Sequence, residues 1–193
     1  MPRDNLHLAV LLAISLHAAF AGVRVNLSLF ALSLKASPFT VGVILSLLAV
    51  LPTLFSVHTG RVIDRIGVRR PLLAGTASVI CGIALAFFVP RLEMLFLVSC
   101  IVGSGFMLFH IAVNHMAGGM GEPQHRAMNF SLLALGFSTS GFLGPMIAGF
   151  AIDGIGHRHT FLLLGGFALL TLVGLLARLG QVQRGCAKSC PRL

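Results

Sequence analysis

Tryptophan and tyrosine are absent from this sequence of 193 residues, and charged residues make up only 10% of it. A soluble globular domain carries roughly 25% charged residues, so the composition excludes an ordinary soluble domain or soluble enzyme. Acids are the scarcest charged type, because 5 Asp and Glu residues stand against 14 Lys and Arg residues. The absence of Trp and Tyr also removes the aromatic belts that mark membrane interfaces. The ends of any membrane span must therefore be inferred from other residues.

Cysteine is also scarce, with four residues in the chain. Cys81 and Cys100 lie inside apolar stretches, where we predict small core residues. Cys186 and Cys190 lie in a polar tail without a neighbouring histidine or a further cysteine, so their spacing is not that of a metal site. We therefore predict no metal site and no cofactor.

Apolar residues are abundant, since hydrophobic types make up 56% of the chain. They fall into six blocks, each with the roughly 20 residues that cross a hydrocarbon core about 30 Å thick. The blocks predict spans at 6–33, 39–59, 71–90, 93–115, 128–152 and 160–178. The predicted fold is an all-α membrane protein, with a six-span transmembrane domain over residues 1–178 and a polar cytoplasmic tail over residues 179–193.

The basic residues lie between the apolar blocks, which favours membrane topology over nucleic-acid binding as the reason for the net charge of +9. With a cytoplasmic N-terminus, ten Lys and Arg residues fall on the inner side, and only Lys35, Arg91 and Arg158 fall outside. Basic residues concentrate in cytoplasmic loops. We therefore predict a multi-pass protein of the cell membrane, inner or plasma, with both termini in the cytoplasm.

The first block also resembles a signal peptide, because Arg3 precedes it and Ala19-Phe20-Ala21 imitates a cleavage site. Against cleavage, helix-compatible apolar sequence continues as far as Leu34, just before the first turn signal at Ser37 and Pro38. The simpler interpretation is a retained first span.

The segment after the second span, residues 60–71, is predicted to be a cytoplasmic loop. Gly60 lets a helix end approach a neighbour closely. Gly67 supplies a turn, and Pro71 suits the first turn of the next helix. Asp64 is an acid among four arginines. A loop that only anchors the chain by its basic charge explains neither the two glycines nor this aspartate.

The pattern G-x-x-x-D-R-x-G-x-R-R in this segment resembles the signature loop of the major facilitator superfamily of secondary transporters. The matching residues are Gly60, Asp64, Arg65, Gly67 and Arg69, while Val68 stands where the motif has a basic residue and Arg70 is available to replace it. The resemblance implies a conformational switch, because in the family this loop touches the C-terminal half and helps to hold the outward-open state. Without that half, we expect Asp64 to stay in water and to pair only within its own loop, with Arg65, Arg69 or Arg70.

The fifth span contains a second match, to the glycine-proline motif of antiporters in the same family. Its residues are Gly141, Gly144, Pro145 and Gly149, with Ser140 and Ala148 where glycine is common. Small residues three to four apart form a flat face for helix packing, and proline can kink a helix. This motif predicts either a plain packing seam or a role in coupling. A further family motif in the fourth span lacks its arginine, which weakens any prediction of proton antiport through that residue.

The signature segment recurs 89 residues later. Gly60-x-x-Ile63-Asp64-x-Ile66-Gly67-x-Arg69 returns as Gly149-x-x-Ile152-Asp153-x-Ile155-Gly156-x-Arg158. Each six-span half of such transporters is built from three-span repeats of inverted topology. We therefore predict two inverted three-helix repeats, with the first copy of the segment cytoplasmic and the second external.

Polar side chains within the spans form stripes on helical faces, and such residues are costly in a membrane. The resemblance implies that spans one, two, four and five line a central cavity. The predicted cavity residues are His17, Arg24, Ser46, Thr53, His110, Asn114, Asn129 and Ser140. The alternative for the two histidines is a hydrogen bond to a neighbouring helix, and the alternative for Arg24 is an interface anchor. Because no acid lies in mid-span, an anionic or polar organic solute is favoured over a cationic drug.

The resemblance covers about residues 6–178 and corresponds to the N-terminal half of a twelve-span transporter. It implies alternating-access transport of a small solute across the lipid bilayer. The chain is then a truncated product, which we favour, a half-transporter that forms a homodimer, or one member of a split pair that needs a C-terminal half. The alternative function is a non-transporting membrane fragment that only associates with a partner. Enzymatic motifs such as H-E-x-x-H are absent from the sequence.

Overall fold

The computed structural model describes residues 4–119 and 126–177, and these are almost entirely helical. The helices are α1 (Asp4–Ser33), α2 (Pro38–Ile66), α3 (Arg69–Phe88), α4 (Leu92–Gly119) and α5 (Arg126–Ala177). All five are long and apolar enough to cross a membrane. The predicted all-α membrane fold is confirmed. The predicted tail at 179–193, with Cys186 and Cys190, lies outside the described residues.

The link between α1 and α2 forms where the sequence has its first turn signals. Lys35 has a positive φ of 62°. The Ser37 side chain then caps α2 by accepting the backbone N–H of Thr40 at 3.2 Å, and Pro38 occupies the first helical position. A proline fits there because its missing N–H would have no partner within the helix. Helices α1 and α2 are therefore joined by a short, well-capped hairpin link.

Helix α2 continues well beyond the predicted end of the second span at residue 59. Gly60, Asp64 and Arg65 lie on its last two turns, so the prediction of a loop over residues 60–71 was wrong for this part. The helix continues because residues 60–66 contain no proline and because Ile63 is packed inside the bundle, with only 1% of its surface exposed. The helix ends at Gly67, whose φ of 79° provides the predicted turn. Helix α3 begins two residues later, with Pro71 in its first turn.

Helix α5 reverses direction in the middle, at Gly156, where φ is 79° and ψ is 165°. Before this residue, positions 136, 140 and 144 contact positions 14, 17 and 18 of α1 in increasing order. After it, Leu164, Phe167 and Thr171 contact Gly22, Ser15 and Leu12 in decreasing order. The first part of α5 therefore runs parallel to α1 and the second part runs antiparallel to it. The predicted span ends require a loop between residues 152 and 160. The structure has only a break at Gly156 instead.

Glycines bring the helices close together at several crossings. A Cβ atom at Gly75 of α3 would lie 2.6 Å from the carbonyl oxygen of Gly105 on α4. A Cβ atom at Gly103 of α4 would collide with the backbone of Leu48 on α2. A Cβ atom at Gly144 of α5 would lie 2.5 Å from the carbonyl oxygen of Ala18 on α1. In a bilayer, where water does not drive helices together, such close backbone packing is a main source of association.

Candidate functional site

A hydrogen bond between α1 and α5 is the centre of the candidate site. The Nδ1 atom of His17 lies 2.7 Å from the Oγ atom of Ser140, which is completely buried. The Ser140 hydroxyl donates its single proton to backbone carbonyls of its own helix, with the Gly136 oxygen at 2.8 Å and the Phe137 oxygen at 3.1 Å. With its proton on Nδ1 the His17 ring donates to Ser140, and in the other tautomer Nδ1 accepts from the hydroxyl.

Aromatic rings enclose His17 and connect it to His110 of α4. The His17 ring centroid lies 4.9 Å from that of Phe137 and 5.5 Å from that of Phe106. His110 contacts the same two phenylalanines, at 4.8 Å from Phe137 and 5.6 Å from Phe106. Phe106 also stacks on Phe20 of α1, with centroids 3.9 Å apart. Helices α1, α4 and α5 thus hold two imidazoles against one shared aromatic wall.

His110 has an unsatisfied polar atom in this cluster. Its Nδ1 atom is buried and has no hydrogen-bond partner among the residues that the structure describes. The carbonyl oxygen of His110 accepts the Asn114 side-chain amide at 2.9 Å, so Asn114 is used within its own helix. A buried polar atom without a partner costs free energy, about 1–3 kcal/mol when it is a neutral group.

The other predicted cavity residues are not part of this cluster. Ser46 and Thr53 are exposed and donate to carbonyl oxygens of their own helix, at 2.8 and 2.6 Å. Asn129 is buried and donates to the Ala117 carbonyl at 3.3 Å. Arg24 is exposed and makes no ion pair within the described ranges 4–119 and 126–177. The structure therefore brings together His17, His110 and Ser140 and leaves the rest at separate places.

The predicted switch residues lie at the corner between α2 and α3, with one unexpected partner. Asp64 is exposed, as predicted, but its Oδ1 atom lies 3.2 Å from Nε2 of His115 at the end of α4. The prediction that Asp64 pairs only with arginines of its own loop was therefore wrong. The reason is the extension of α2: Asp64 is fixed on a helix that packs on α4, and its carboxylate points across that interface. Arg65, Arg69 and Arg70 make no ion pair in the described part of the chain.

The glycines of the predicted motifs have unequal surroundings. Gly144 lies in close contact with α1, and a Cβ atom at Gly141 would lie 3.7 Å from the His17 ring. Among the described residues, nothing lies within 4 Å of a Cβ position at Gly149 or Gly60, so neither glycine forms a close helix contact with them. For Gly60 this is a correction, because we expected it to allow a close approach. Pro145 lies inside α5, in the part that packs on α1.

A polar contact at the Gly156 corner was missed by the sequence analysis. Asn26 of α1 is completely buried; its amide donates to the His157 carbonyl at 2.9 Å, and Nδ1–H of His157 donates to the Asn26 side-chain oxygen at 3.0 Å. The neighbouring Arg158 donates from Nε to the Phe87 carbonyl at 3.0 Å and lies over the Phe87 ring. An asparagine within an apolar span was the available signal, because a buried amide needs partners.

Comparisons with known proteins agree with this architecture. The sequence profile described as Major Facilitator Superfamily matches residues 9–185. A search of curated protein sequences found no match. Among solved structures, a mutant of peptide transporter POT in complex with alafosfalin has a TM-score of 0.84 and 19% identity, covering 96% of this chain and 40% of its own.

Two further structures show the same relationship. A mutant of peptide transporter POT in complex with sulfate has a TM-score of 0.82 and 21% identity, covering 91% of this chain and 37% of its own. A POT family transporter in complex with 5-aminolevulinic acid has a TM-score of 0.82 and 20% identity, covering 90% of this chain and 38% of its own. This chain therefore spans about two fifths of the length of these transporters and shares their fold over that part. Because the family profile covers most of its length, the chain belongs to the Major Facilitator Superfamily.

Proposed function

We propose that this chain acts in the transport of a small solute across a membrane, as the N-terminal half of an alternating-access secondary transporter. The observation that carries the proposal is the polar cluster of His17, Ser140 and His110 between three helices of a chain of this family. Polar and titratable residues are rare in the interior of membrane proteins and mark solute or proton pathways. The family also favours transport over an enzymatic role.

The proposed architecture is six spans in two inverted three-helix repeats. Helix α5 has 52 residues, which correspond to about 78 Å of helix and exceed a hydrocarbon core of about 30 Å. Its reversal at Gly156 supports two spans. Gly67 and Gly156, at equivalent positions of the two sequence copies, have the same φ of 79° and ψ values of 168° and 165°. This equality supports a repeat. The distribution of basic residues favours the first corner in the cytoplasm and the second outside.

The proposed solute is an anionic or polar organic molecule. In the sequence, none of the five acids lies in the middle of a predicted span: Asp4, Asp64, Glu93, Glu122 and Asp153. Arg24 lies on the same face of α1 as His17, two turns further along, and it is exposed. A membrane-embedded site with cationic and donor groups but no carboxylate favours a negatively charged ligand.

The corner between α2 and α3 is proposed as the switch that contacts a second half. Arg65, Arg69 and Arg70 have no ion-pair partner in the described helices, so their charges remain available for another protein surface. We propose that this surface belongs to a C-terminal half or to a second copy of the chain. A non-transporting half that only associates with a partner is the second candidate function, because the unpaired arginines of this corner would support association by themselves.

Uptake into proteoliposomes tests the proposal. The chain alone, and the chain together with a C-terminal half from a relative, are compared for uptake of benzenesulfonate and of the cation phenyltrimethylammonium. We expect benzenesulfonate uptake, and we expect Arg24→Ala to reduce it at least tenfold while Lys35→Ala, which removes a basic residue outside the spans, leaves it unchanged. Loss of cation uptake with intact anion uptake would show that Arg24 does not select anions. Association without any flux would favour the second candidate function.

A further inference from the structure

The helices around the His17 cluster form a row with two open edges. Helix α5 packs on α1, α1 meets α4 at the aromatic wall, and α4 packs on α2. Within residues 4–119 and 126–177, α2 and α5 do not pack closely on each other. They therefore lie at the two edges of the row. His17 and His110 lie near its centre and are only partly buried, so the chain alone does not enclose them.

Each edge helix has an exposed face of small residues, which we call its small-residue face. The spacing of three or four residues places each set on one side of its helix. The residues are Gly42, Ser46, Ala49 and Thr53 on α2, and Ser131, Ala134, Ser138 and Gly141 on α5. Such a face lets the backbone of another membrane helix come close. The part of α5 after Gly156 instead exposes large apolar side chains that suit contact with lipid: Leu162, Leu163, Leu169, Leu170, Val173 and Leu176.

The two small-residue faces match each other in direction and register. The first part of α5 runs parallel to α1, whereas α2 follows α1 through a hairpin link, so α2 and this part of α5 run in opposite directions. Fifteen residues separate Ala49 from Asp64 on α2, and fifteen separate Arg126 from Gly141 on α5. If Asp64 of one copy lies beside Arg126 of another, Ala49 therefore lies beside Gly141.

The charges at the ends of these faces are also complementary. Asp64 continues the small-residue face of α2, and its side chain is 66% exposed. Arg126 begins α5, is exposed, and makes no ion pair in the described part of the chain. Arg61 lies on a different side of α2, in line with the exposed Leu54 and Val57. The register that pairs the small residues thus also brings a carboxylate beside a guanidinium.

We propose that a second copy of this chain covers both edges, with α2 of each copy packed on the first part of α5 of the other. A twofold axis along the membrane normal makes this contact twice, as in other isologous dimers. The two halves of transporters in this superfamily are related by an axis of the same orientation. The His17 and His110 cluster is then enclosed between two copies, so the site is complete only in the dimer. The inference deepens the proposed function by naming the partner, and it rests on that function only for the use of the enclosed cluster in transport.

Cross-linking between two differently tagged chains tests the register. Both chains have their native cysteines replaced by serine, and Ala49→Cys in one is combined with Gly141→Cys in the other in proteoliposomes. A disulfide needs Cα atoms within about 7 Å, so oxidation should give a product that carries both tags. The control combines Ala49→Cys with Ala127→Cys, an exposed position on the same side of α5 but about 21 Å further along. We expect the control to react at least about tenfold more slowly.

A charge exchange tests the ends of the interface. Subunit counting by single-molecule photobleaching, at several ratios of protein to lipid, gives the dissociation constant of the dimer. Asp64→Arg should raise this constant about tenfold, because the axis repeats the altered contact. Adding Arg126→Asp to the same chain should restore it. His115→Ala removes only the partner of Asp64 within the chain and should leave the constant unchanged.

Three results would overturn the inference. They are equal cross-linking in the two combinations, a chain that stays single at every protein density, and no recovery in the charge exchange. A chain that stays single but cross-links through Ala49→Cys to a co-expressed C-terminal half would assign the edges to that half and would also overturn it. The outcome is separable from that of the transport proposal. A dimer without flux supports the interface and contradicts transport by the dimer, whereas flux from single chains contradicts the interface and leaves transport in place.

Discussion

The corners at Gly67 and Gly156 have the same backbone conformation but different support. At Gly156, Asn26 of α1 exchanges two hydrogen bonds with His157, and Arg158 is held by the Phe87 carbonyl and ring. At Gly67, the one ion pair in the described residues joins Asp64 to His115, and both side chains are largely exposed. The Gly156 corner is fixed by contacts within the chain, whereas the Gly67 corner leaves Arg65 and Arg70 exposed.

The two copies of the sequence motif therefore have different surroundings. The hydrogen bonds around Gly156 join separate helices, and those of the completely buried Asn26 stabilise the fold because breaking them would leave its amide unpaired. Exposed charges around Gly67 contribute little to stability, since water screens them. The Gly156 corner is therefore stabilised from within the chain, and the proposed contact with a second half concerns the Gly67 corner.

The largest effect is expected from alanine at either turn glycine. At φ of 79° and ψ near 165°, an L-residue is strained, so Gly156→Ala and Gly67→Ala should each lower the free energy of unfolding by about 1–3 kcal/mol. The controls are Gly154→Ala and Gly60→Ala, which lie in helix with open space around the Cβ position. SDS-induced unfolding in mixed micelles measures all four. If the controls were as destabilised as the turn variants, the backbone conformation would not be the cause.

The second prediction concerns the buried amide at the Gly156 corner. Asn26→Ala removes both hydrogen bonds to the partly buried His157, so at about 0.5–1.5 kcal/mol for each bond we expect a loss of about 1–3 kcal/mol in unfolding free energy. The matched variant is Ser28→Ala, because the Ser28 hydroxyl bonds only to the Val25 carbonyl of its own helix. Equal stabilities of the two variants would mean that this corner is not fixed by α1.

The third prediction compares the equivalent arginines of the two copies. Arg158→Gln removes the cation from the Phe87 ring at a partly exposed site and should cost about 0.5–1 kcal/mol. Arg69→Gln should leave the stability of the isolated chain unchanged, because Arg69 makes no ion pair in the described residues. The same unfolding assay measures both. A destabilised Arg69→Gln variant would contradict the assignment of this arginine to a second half.

The smallest effect is expected at the equivalent aspartates. Asp64→Asn breaks an exposed pair with His115 and should change the unfolding free energy by less than about 1 kcal/mol. Asp153→Asn should have no effect, since Asp153 makes no ion pair within the described helices. Thermal unfolding in detergent suffices for the comparison. A loss of several kcal/mol in Asp64→Asn would require a buried partner, within the chain or across a dimer.

The fold could be predicted to a large extent from sequence because a bilayer imposes simple rules. The long apolar blocks predicted where the helices lie. The turn at Gly67, and Pro71 in the first turn of the next helix, were predicted from residue type. The ends of α2 and of the fifth span were wrong, since apolar periodicity continues through Ile63 and Ile152 to the glycines. The end of an apolar block indicates where the chain leaves the membrane. A helix can continue beyond that point, until a residue that breaks it.

The site was predicted only in part, because side-chain partners depend on how helices pack. His17, His110 and Ser140 were predicted as cavity residues and lie in one cluster, but the aromatic wall of Phe106 and Phe137 was not anticipated. Phenylalanine is common in any span, so residue type gave no signal. The Asp64 contact with His115 was also missed, because the two residues are far apart in sequence and meet only when α2 packs on α4.

Side-specific labelling of the two corners tests the central claim, the inverted repeat, most directly. Arg65→Cys and Gly154→Cys occupy equivalent positions of the two copies, in a background where the four native cysteines are replaced by serine. A membrane-impermeant maleimide is applied to right-side-out and inside-out vesicles. We expect Gly154→Cys to react only from outside and Arg65→Cys only from the cytoplasmic side. Reaction of both residues from the same side would contradict the inverted topology and the half-transporter built on it.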